Sequence, residues 1–391
     1  VRSHPVPANK KQEKKKAKTM VRFAARSTLS LLAVAKVSSF TMPTITRLTQ
    51  SRVMLHGTSE DVNIATETLS LNHIDGIQSI YSKYDTFLLD MWGVMHDGSK
   101  PYEGVLDTVK QLKKENKKMV ILSNSSKRIS NAKKMLEKLG FDENDFAQII
   151  TSGEVSYRML CGDETLQCSK WHIISELIQN NKRKVFVFGS GDGDEEYISE
   201  SGWTLSPIEE ADLIVARGTF TINNGDGSPV KKKVDEEEYF RVLNQSLNIA
   251  AQRSVPMLVT NPDKVRPDKG LPPMPGAIGD SYEDILGEGS DAFVKRIGKP
   301  YPEVYELALW GCEDVPAVMV GDALETDVTG GTWSRCSTAW IVNDGIHSPA
   351  VKERGEFEVG SVKVLDEFND KKGYEGEDRL RPTYVTRHFR W

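Results

Sequence analysis

The sequence predicts an α/β fold: a Rossmann-like parallel sheet with helices on both faces, interrupted by a second α/β segment. Three observations carry this prediction. Short apolar runs of strand length recur between amphipathic, lysine-studded stretches at helical spacing. Several of those runs end in Asp, Ser, Asn or Gly, residues suited to the turn at the carboxyl edge of a sheet. The strand and helix alternation also stops and restarts near Val185.

Phe87 to Leu89 reads as a buried strand that delivers Asp90 to its end, just before the flexible Gly93. An open parallel sheet binds its ligands at that edge. A simple turn aspartate has the same signature, so Asp90 alone does not decide between the two. After Pro101 and Gly104, the spacing of Val105, Val109 and Leu112 predicts a surface helix. Met119 to Leu122 is a second strand ending in Ser123-Asn124-Ser125-Ser126, ahead of a helix over Ile129 to Leu139 closed by Gly140. That polar cluster suits a helix N-cap or, alternatively, a cradle for a phosphate. Gln148 to Thr151 is a third strand, followed by a helix from Glu154 to about Leu160.

The restart begins with a strand at Val185 to Phe188. Its following loop, Gly189 to Asp194, lacks the Lys-Ser/Thr ending of a P-loop and the spacing of a dinucleotide fingerprint, and reads as a turn. Leu213 to Ala216 is a strand ending in Arg217-Gly218, Tyr239 to Ala250 is helical, and Pro256 to Thr260 is a strand ending in Asn261-Pro262-Asp263. Leu271 to Pro275 reads as a hinge or binding loop before a helix near Asp280 to Leu286. A third block places Gly298-Lys299-Pro300 before a helix over Pro302 to Trp310. A strand at Ala317 to Val320 then ends in Gly321-Asp322, with Asp327 beyond it, and Thr338 to Val342 is the last strand. From Ser348 the chain is charged and weakly periodic, as in a peripheral tail. The expected division is a leader over 1–70, the first half of the sheet over 71–160, an inserted segment over 161–290, the second half over 291–348 and a tail over 349–391.

Composition bounds the function. The 391 residues are 38% hydrophobic and 27% charged, ordinary for a globular protein. A net charge of −5, with basic and acidic residues interspersed after the leader, leaves no footprint for a nucleic-acid partner. The four cysteines form no pair or Cys/His cluster at zinc spacing. No run is long and apolar enough to predict a membrane helix. The sequence is compatible with a homo-oligomer and carries no code for one. Lys14 to Ser59 contains no acidic residue, while Arg22, Arg26, Lys36, Arg47 and Arg52 alternate with Ser, Thr and apolar residues. That is the composition of an organelle transit peptide for a mitochondrion or plastid; Leu29 to Ala35 also fits the apolar part of a secretory signal.

Asp90, Ser123 and Asp322 end strands, Lys299 and Asp327 lie in adjoining loops, and a parallel sheet can gather all five on one edge. Carboxylates converging with one lysine and one hydroxyl match what phosphoryl transfer through an aspartyl intermediate requires: a nucleophile, a hard-cation site, and charge and donors on the phosphoryl oxygens. Four segments resemble, in order, the motifs of the haloacid dehalogenase-like superfamily, most closely its class IIA phosphatases. They are Leu88-Leu89-Asp90-Met91-Trp92-Gly93-Val94, Ile121-Leu122-Ser123-Asn124, Ile297-Gly298-Lys299-Pro300-Tyr301-Pro302, and Val318 to Asp327. Thr260 to Asp263 and Pro275-Gly276-Ala277 are similar to this class as well. The resemblance covers residues 80 to 347 and implies that the inserted segment is an α/β cap of the C2 type.

Carried over, the resemblance makes Asp90 the nucleophile and a Mg²⁺ ligand, Asp322 a second carboxylate on the metal, and the backbone carbonyl of Trp92 a third oxygen. Asp327 acts through water or supports the other ligands. Ser123 and the Asn124 N–H hold the phosphoryl oxygens, Lys299 offsets the negative charge, and Gly93 and Gly321 are turn formers. The substrate implied is a small phosphorylated metabolite.

One position departs from the pattern. Active phosphatases of this class carry a second Asp two residues after the nucleophile, which protonates the leaving alkoxide; here that residue is Trp92, and an indole N–H does neither acid nor base work. A positioned acid or base contributes about 10² to 10⁴ in rate, so ester hydrolysis is expected to be weakened. A Trp-Gly-Val version of the motif also occurs in a branch of the class. Nearby His96 and Asp97 are read as turn residues, because Asp-Gly is a common turn pair. Two other readings stay open: a catalytically silent metabolite-binding or regulatory protein, and a hydrolase acting on substrates with good leaving groups, such as acyl or aryl phosphates, which need little protonation.

The leader reading is testable on native material. Limited proteolysis with mass determination is expected to find residues before about Leu71 absent or readily removed, and an intact, protected leader would overturn it.

Overall fold

The computed structural model describes residues 71–166, 171–266, 272–312 and 315–391, so the expected leader lies outside the described residues. These segments belong to one compact unit. In chain order its strands are β1 (Thr86–Leu89), β2 (Lys118–Ser123), β3 (Gln148–Thr151), β4 (Lys184–Gly189), β5 (Thr204–Leu205), β6 (Leu213–Ala216), β7 (Thr221–Asn223), β8 (Val230–Lys231), β9 (Met257–Val259), β10 (Val294–Arg296), β11 (Ala317–Gly321), β12 (Ser337–Ile341) and β13 (Tyr384–Thr386).

Six of them form a parallel sheet in the order β13-β12-β11-β1-β2-β3. Side chains alternate across it with the two-residue period of a strand. Phe87, Leu89, Met119 and Ile121 pack with Val105, Val109 and Leu112 of the Val105–Lys114 helix and Leu136 of the Ile129–Lys138 helix. Leu88, Val120, Leu122 and Met319 face the other way, onto Val155 and Met159 of the Ser152–Leu160 helix and Val304, Tyr305 and Ala308 of the Pro302–Leu309 helix. Burial on both faces explains why these strands read as unbroken apolar runs. The predicted α/β class and its parallel sheet are present.

The inserted segment builds a second sheet in the order β10-β9-β6-β4-β7-β8, with β5 alongside β4. Its β10, β9, β6, β4 and β5 are parallel, and β7 and β8 join antiparallel. Helices Glu236–Arg253 and Pro275–Leu286 cover one face. The longer begins at Asp235, whose carboxylate accepts the Glu238 N–H at 2.9 Å and so satisfies one of the free amides of the first turn. The other face contributes Val185, Val187, Leu213, Val215 and Leu258 to the apolar cluster that also holds Leu88 and Met319, so the two sheets share packing.

Two expectations are corrected. Residues 291–348 are expected to belong to the second half of the first sheet, yet Val294–Arg296 form a strand, β10, that pairs with β9 in the second. The Arg296 guanidinium holds it there, paired with Asp280 (2.8 Å) and Glu283 of the preceding helix. The segment from Ser348 onward, expected as a peripheral tail, instead completes the first sheet. β13 pairs with β12 from Ala339↔Tyr384 to Ile341↔Thr386, and the Phe357–Lys372 helix packs Val364, Leu365 and Phe368 near Trp340 and Val342. The weak periodicity has a physical origin. A Cβ on Gly360 would lie 2.3 Å from the Val351 carbonyl, so the Phe357–Lys372 helix meets the Ser348–Arg354 helix through a small residue rather than an apolar stripe.

Phe389 is fully buried in the cluster under the first sheet. Phe389→Ala is therefore expected to destabilise the fold by about 3 to 5 kcal/mol in chemical denaturation, whereas a peripheral tail predicts no measurable change.

Candidate functional site

Three neighbouring strands bring the predicted residues together. Leu89 is level with Ile121 of β2 and Val320 of β11, so Asp90, Ser123 and Asp322 leave the same edge of the sheet. The Asp90 N–H donates to the Val320 carbonyl at 3.0 Å, which fixes where its carboxylate starts. Lys299, on the loop after β10, is 2% exposed and reaches between the acids, paired with Asp90 and with Asp327 at 2.7 Å.

Asn124 holds that lysine loop. Its side-chain amide donates to the Lys299 carbonyl (3.0 Å) and to Asp263 (2.8 Å), while its Oδ1 accepts the Lys299 N–H (2.7 Å). The Asn124 side chain thus positions Lys299, a role the sequence did not reveal. Asp327 also fixes backbone: its Oδ2 accepts the N–H groups of Asp322 (3.0 Å) and Ala323 (3.1 Å). Asp322 itself accepts the Ile346 N–H at 2.7 Å.

Two glycines allow this density, for different reasons. Gly93 adopts φ +84°, and a Cβ there would lie 2.3 Å from Asp322 Oδ2. Gly321, expected as a turn former, lies within β11; a Cβ there would sit 2.1 Å from the Asp327 side chain, so it is a close-approach residue instead.

Oxygens of Asp90, Asp322 and Asp327 lie within 4.8 Å of one another, and all three residues are buried. Burial first, then the neighbouring Asp327, raises Asp90 to about 7 against the opposing pull of Lys299. Burial, Asp90 and Asp327 together push Asp322 well above the ordinary carboxylate range. Burial disfavours the Lys299 charge, but Asp327 and Asp90 outweigh it and hold the ammonium above its usual value. Asp263 is raised to about 6 by burial, opposed by the Asn124 hydrogen bond. Three hard oxygen donors around one lysine, left with excess negative charge, fit a divalent cation such as Mg²⁺.

The polar Ser123–Ser126 cluster does not cap the following helix, contrary to one of its two readings. The N-cap residue is Arg128, and the Ile129 N–H is satisfied by Glu154 at 3.1 Å. Ser123 and Asn124 line a cleft of about 1010 Å³ together with Asp90, Trp92, Lys299, Asp322 and Asp327. His96 and Asp97 do not line it. Asp97 accepts from Ser99 and Lys100, which lowers it to about 2 and makes it the expected turn residue. His96 is buried, its Nδ1 accepts the Gly98 N–H at 2.9 Å, and burial lowers its pKa.

The opposite wall comes from the second sheet and includes Ser190, Arg217 and Phe220. Gly189 to Asp194 turns as predicted, yet Asp194 is a buried carboxylate paired with the buried Arg217 at 2.6 Å. Arg217 stacks on Tyr197 and donates to the Ser126 carbonyl at 3.4 Å, linking the second sheet to the Ser123–Ser126 loop. No local sequence signal announces this pair, because its members lie on different loops.

The fold and site define an α/β protein with a buried aspartate and lysine cluster at the carboxyl edge of its central strands. Family models described as haloacid dehalogenase-like hydrolase and HAD-hydrolase-like match residues 87–204 and 296–371. The chain belongs to the haloacid dehalogenase-like hydrolases. It is 26% identical over 270 residues to a 4-nitrophenylphosphatase of Schizosaccharomyces pombe, covering 68% of this chain and 85% of that one. It is 22% identical over 304 residues to the chloroplastic phosphoglycolate phosphatase 1A of Arabidopsis thaliana, covering 76% and 79%. Among solved structures, the fold matches a p-nitrophenyl phosphatase from Archaeoglobus fulgidus with TM-score 0.52 at 21% identity, over 78% of this chain and 97% of that one. It also matches a possible sugar phosphatase from Cytophaga hutchinsonii with TM-score 0.56 at 19% identity, over 81% and 98%.

The charge imbalance has a measurable consequence in chelator. Asp322 has a folded pKa above its unfolded value, so its ionisation costs stability as pH rises from its unfolded value through the folded one. Asp322→Asn is expected to raise stability at pH 7 by about 1 to 4 kcal/mol, with the gain vanishing near pH 4. A variant less stable than the parent at pH 7 would contradict this.

Proposed function

We propose that this protein is a Mg²⁺-dependent phosphomonoesterase acting on a small phosphorylated metabolite. The observation that carries the reading is Asp90: a buried carboxylate at the strand edge, open to a cleft, with Lys299 paired to it and Asp322 beside it. The names of the relatives support the same class of reaction.

Asp90 Oδ attacks the phosphorus in line with the leaving oxygen, and the bond to that oxygen breaks with its electron pair, leaving an aspartyl phosphate. Lys299 and Ser123 offset and orient the phosphoryl oxygens. Asp90, Asp322 and the Trp92 carbonyl would hold Mg²⁺, which when bound supplies the positive charge that lets an anionic nucleophile approach an anionic phosphorus. Water then attacks the phosphorus, Asp90 is released, and the proton from water passes to phosphate or solvent. The second sheet acts as the cap that closes this chemistry from water. Without an acid or base at residue 92, neither alkoxide departure nor water attack is assisted. The leader, acid-free from Lys14 to Ser59, in this reading directs the enzyme to a mitochondrion or plastid.

Trp92 also favours a second reading, a catalytically silent binding protein, and one variant separates the two. Trp92→Asp is expected to raise hydrolysis of alkyl phosphates by up to about 10², with a smaller gain on nitrophenyl phosphate, whose leaving group needs little protonation. A folded variant that binds Mg²⁺ yet gains on no phosphate ester would favour the silent protein.

A further inference from the structure

The Thr260 to Asp263 segment has no part in the chemistry above, although it stands beside the lysine loop. β9 and β10 are adjacent parallel strands of the second sheet, and each leads into a loop that lines the cleft, β9 into Asn261-Pro262-Asp263 and β10 into Gly298-Lys299. Both loops close on one side chain from the first sheet, Asn124. Its amide is used completely: one proton goes to the Lys299 carbonyl, the other to Asp263 Oδ1, and the amide oxygen accepts the Lys299 N–H. A Cβ on Gly298, at φ +132°, would lie 2.5 Å from Asn124 Oδ1 and 2.7 Å from the Pro262 ring, so no side chain fits where the three segments meet. Asp263 is itself pinned. Its N–H donates to Asn261 Oδ1 at 2.8 Å, and its carbonyl accepts the N–H of Gly276, in the first turn of the Pro275–Leu286 helix, at 3.0 Å. A Cβ on Gly276 would lie 2.1 Å from the Pro262 carbonyl, so that helix start is seated directly on the loop. Burial raises the Asp263 carboxyl to about 6, which leaves it ionised at neutral pH and able only to accept.

We propose that Asp263 is a positioning residue for phosphoryl transfer: it anchors the Asn124 amide, which holds the Lys299 backbone so that the ammonium stands between Asp90 and Asp327. The inference rests on the phosphomonoesterase reading and gives the second sheet a share in the active site beyond covering it. The terminal torsion of an Asn side chain is soft. Two bonds from the amide to the Lys299 backbone therefore fix amide and loop to each other, but not to the rest of the site. The third bond ties that unit to the loop after β9, whose own backbone is held by Asn261 and Gly276. Without Asp263 one amide proton is left unpaired in a closely packed place, a cost the amide escapes by turning, and turning breaks its bonds to Lys299. The lysine then keeps its charge and loses its place against Asp90.

Steady-state kinetics of the full chain with nitrophenyl phosphate and saturating Mg²⁺ separate positioning from a merely structural role. Asp263→Ala is expected to lower kcat about 10- to 100-fold, the scale of a misplacement of about 1 Å, with KM changed far less. Asp263→Asn, which keeps an acceptor oxygen for the Asn124 amide, should recover most of the loss. Asn124→Ala should lower kcat at least as much as Asp263→Ala. Adding Asp263→Ala to Asn124→Ala should cost no more than about 2-fold further, because the link through which Asp263 acts is already gone. Melting temperatures establish that each variant is folded. A folded Asp263→Ala enzyme with the parental kcat, an Asp263→Asn variant no better than Asp263→Ala, or two losses that simply multiply in the double variant overturns the positioning role and leaves the phosphomonoesterase reading standing. An unimpaired Asn124→Ala enzyme does the same, whether or not Asp263→Ala folds. A parent chain that does not hydrolyse the ester overturns both.

Discussion

Three buried carboxylates around a single lysine are the constraint on which the rest of this site depends. In a low-dielectric interior the excess negative charge is costly, and it persists only where surrounding groups fix every member. Asn124 fixes the Lys299 backbone through two hydrogen bonds, Asp327 fixes the start of the Asp322 loop, and Ile346 supplies an N–H to Asp322. Gly93, Gly321 and Gly345 stand where any side chain would collide with Asp322 or Asp327. The cluster is therefore assembled from the carboxyl ends of the adjacent strands β1 and β11 and from the loop that follows β10. Charge that destabilises the metal-free state is the same charge that a divalent cation would relieve.

The second sheet is tied to that cluster by polar as well as apolar contacts. Lys127 donates to Ser190 and Arg217 to the Ser126 carbonyl, so the loop that carries Ser123 and Asn124 is tied to the second sheet at two points. The Asp194 and Arg217 pair is itself buried, and such pairs contribute less to stability than their short distance suggests, because both ions lose water. Its hydrogen bonds with Ser190, Gly191 and Thr221 supply the partners a buried carboxylate needs. The pair orders the wall of the cleft, a matter of geometry more than of stability.

What was legible in the sequence was what local pattern encodes. The strands of the first sheet are apolar on both faces and end in turn residues, so β1, β2, β3 and β11 stand close to where periodicity put them, and the residues at their ends follow. The edge strand β13 has three residues, too few for a period, and its helices meet at Gly360, so the C-terminal segment looked like a tail. β10 was misplaced because membership of a sheet depends on the Arg296 contacts with Asp280 and Glu283, which no local window contains. At the site, residues whose chemistry is intrinsic, Asp90, Lys299 and Asp322, stood out. Residues whose role is positional, Asn124 through its side chain, Asp263 and Arg217, did not, since an amide or an arginine acquires such a role only from what it meets in space.

Trp92 shows why a departure from a motif is more than a missing group. At the position of an acid, the chain has placed a side chain that cannot move a proton, two residues from Asp90 in the wall of the same cleft. Loss of general acid catalysis weighs heavily on an alkoxide leaving group and little on one whose conjugate acid is already strong. Binding energy on the leaving group would help the chemical step only where it aligns the bond to be broken with Asp90. A substitution that looks like a defect when judged by one half-reaction therefore bears on which esters could react, because an ester with a good leaving group needs the missing acid least.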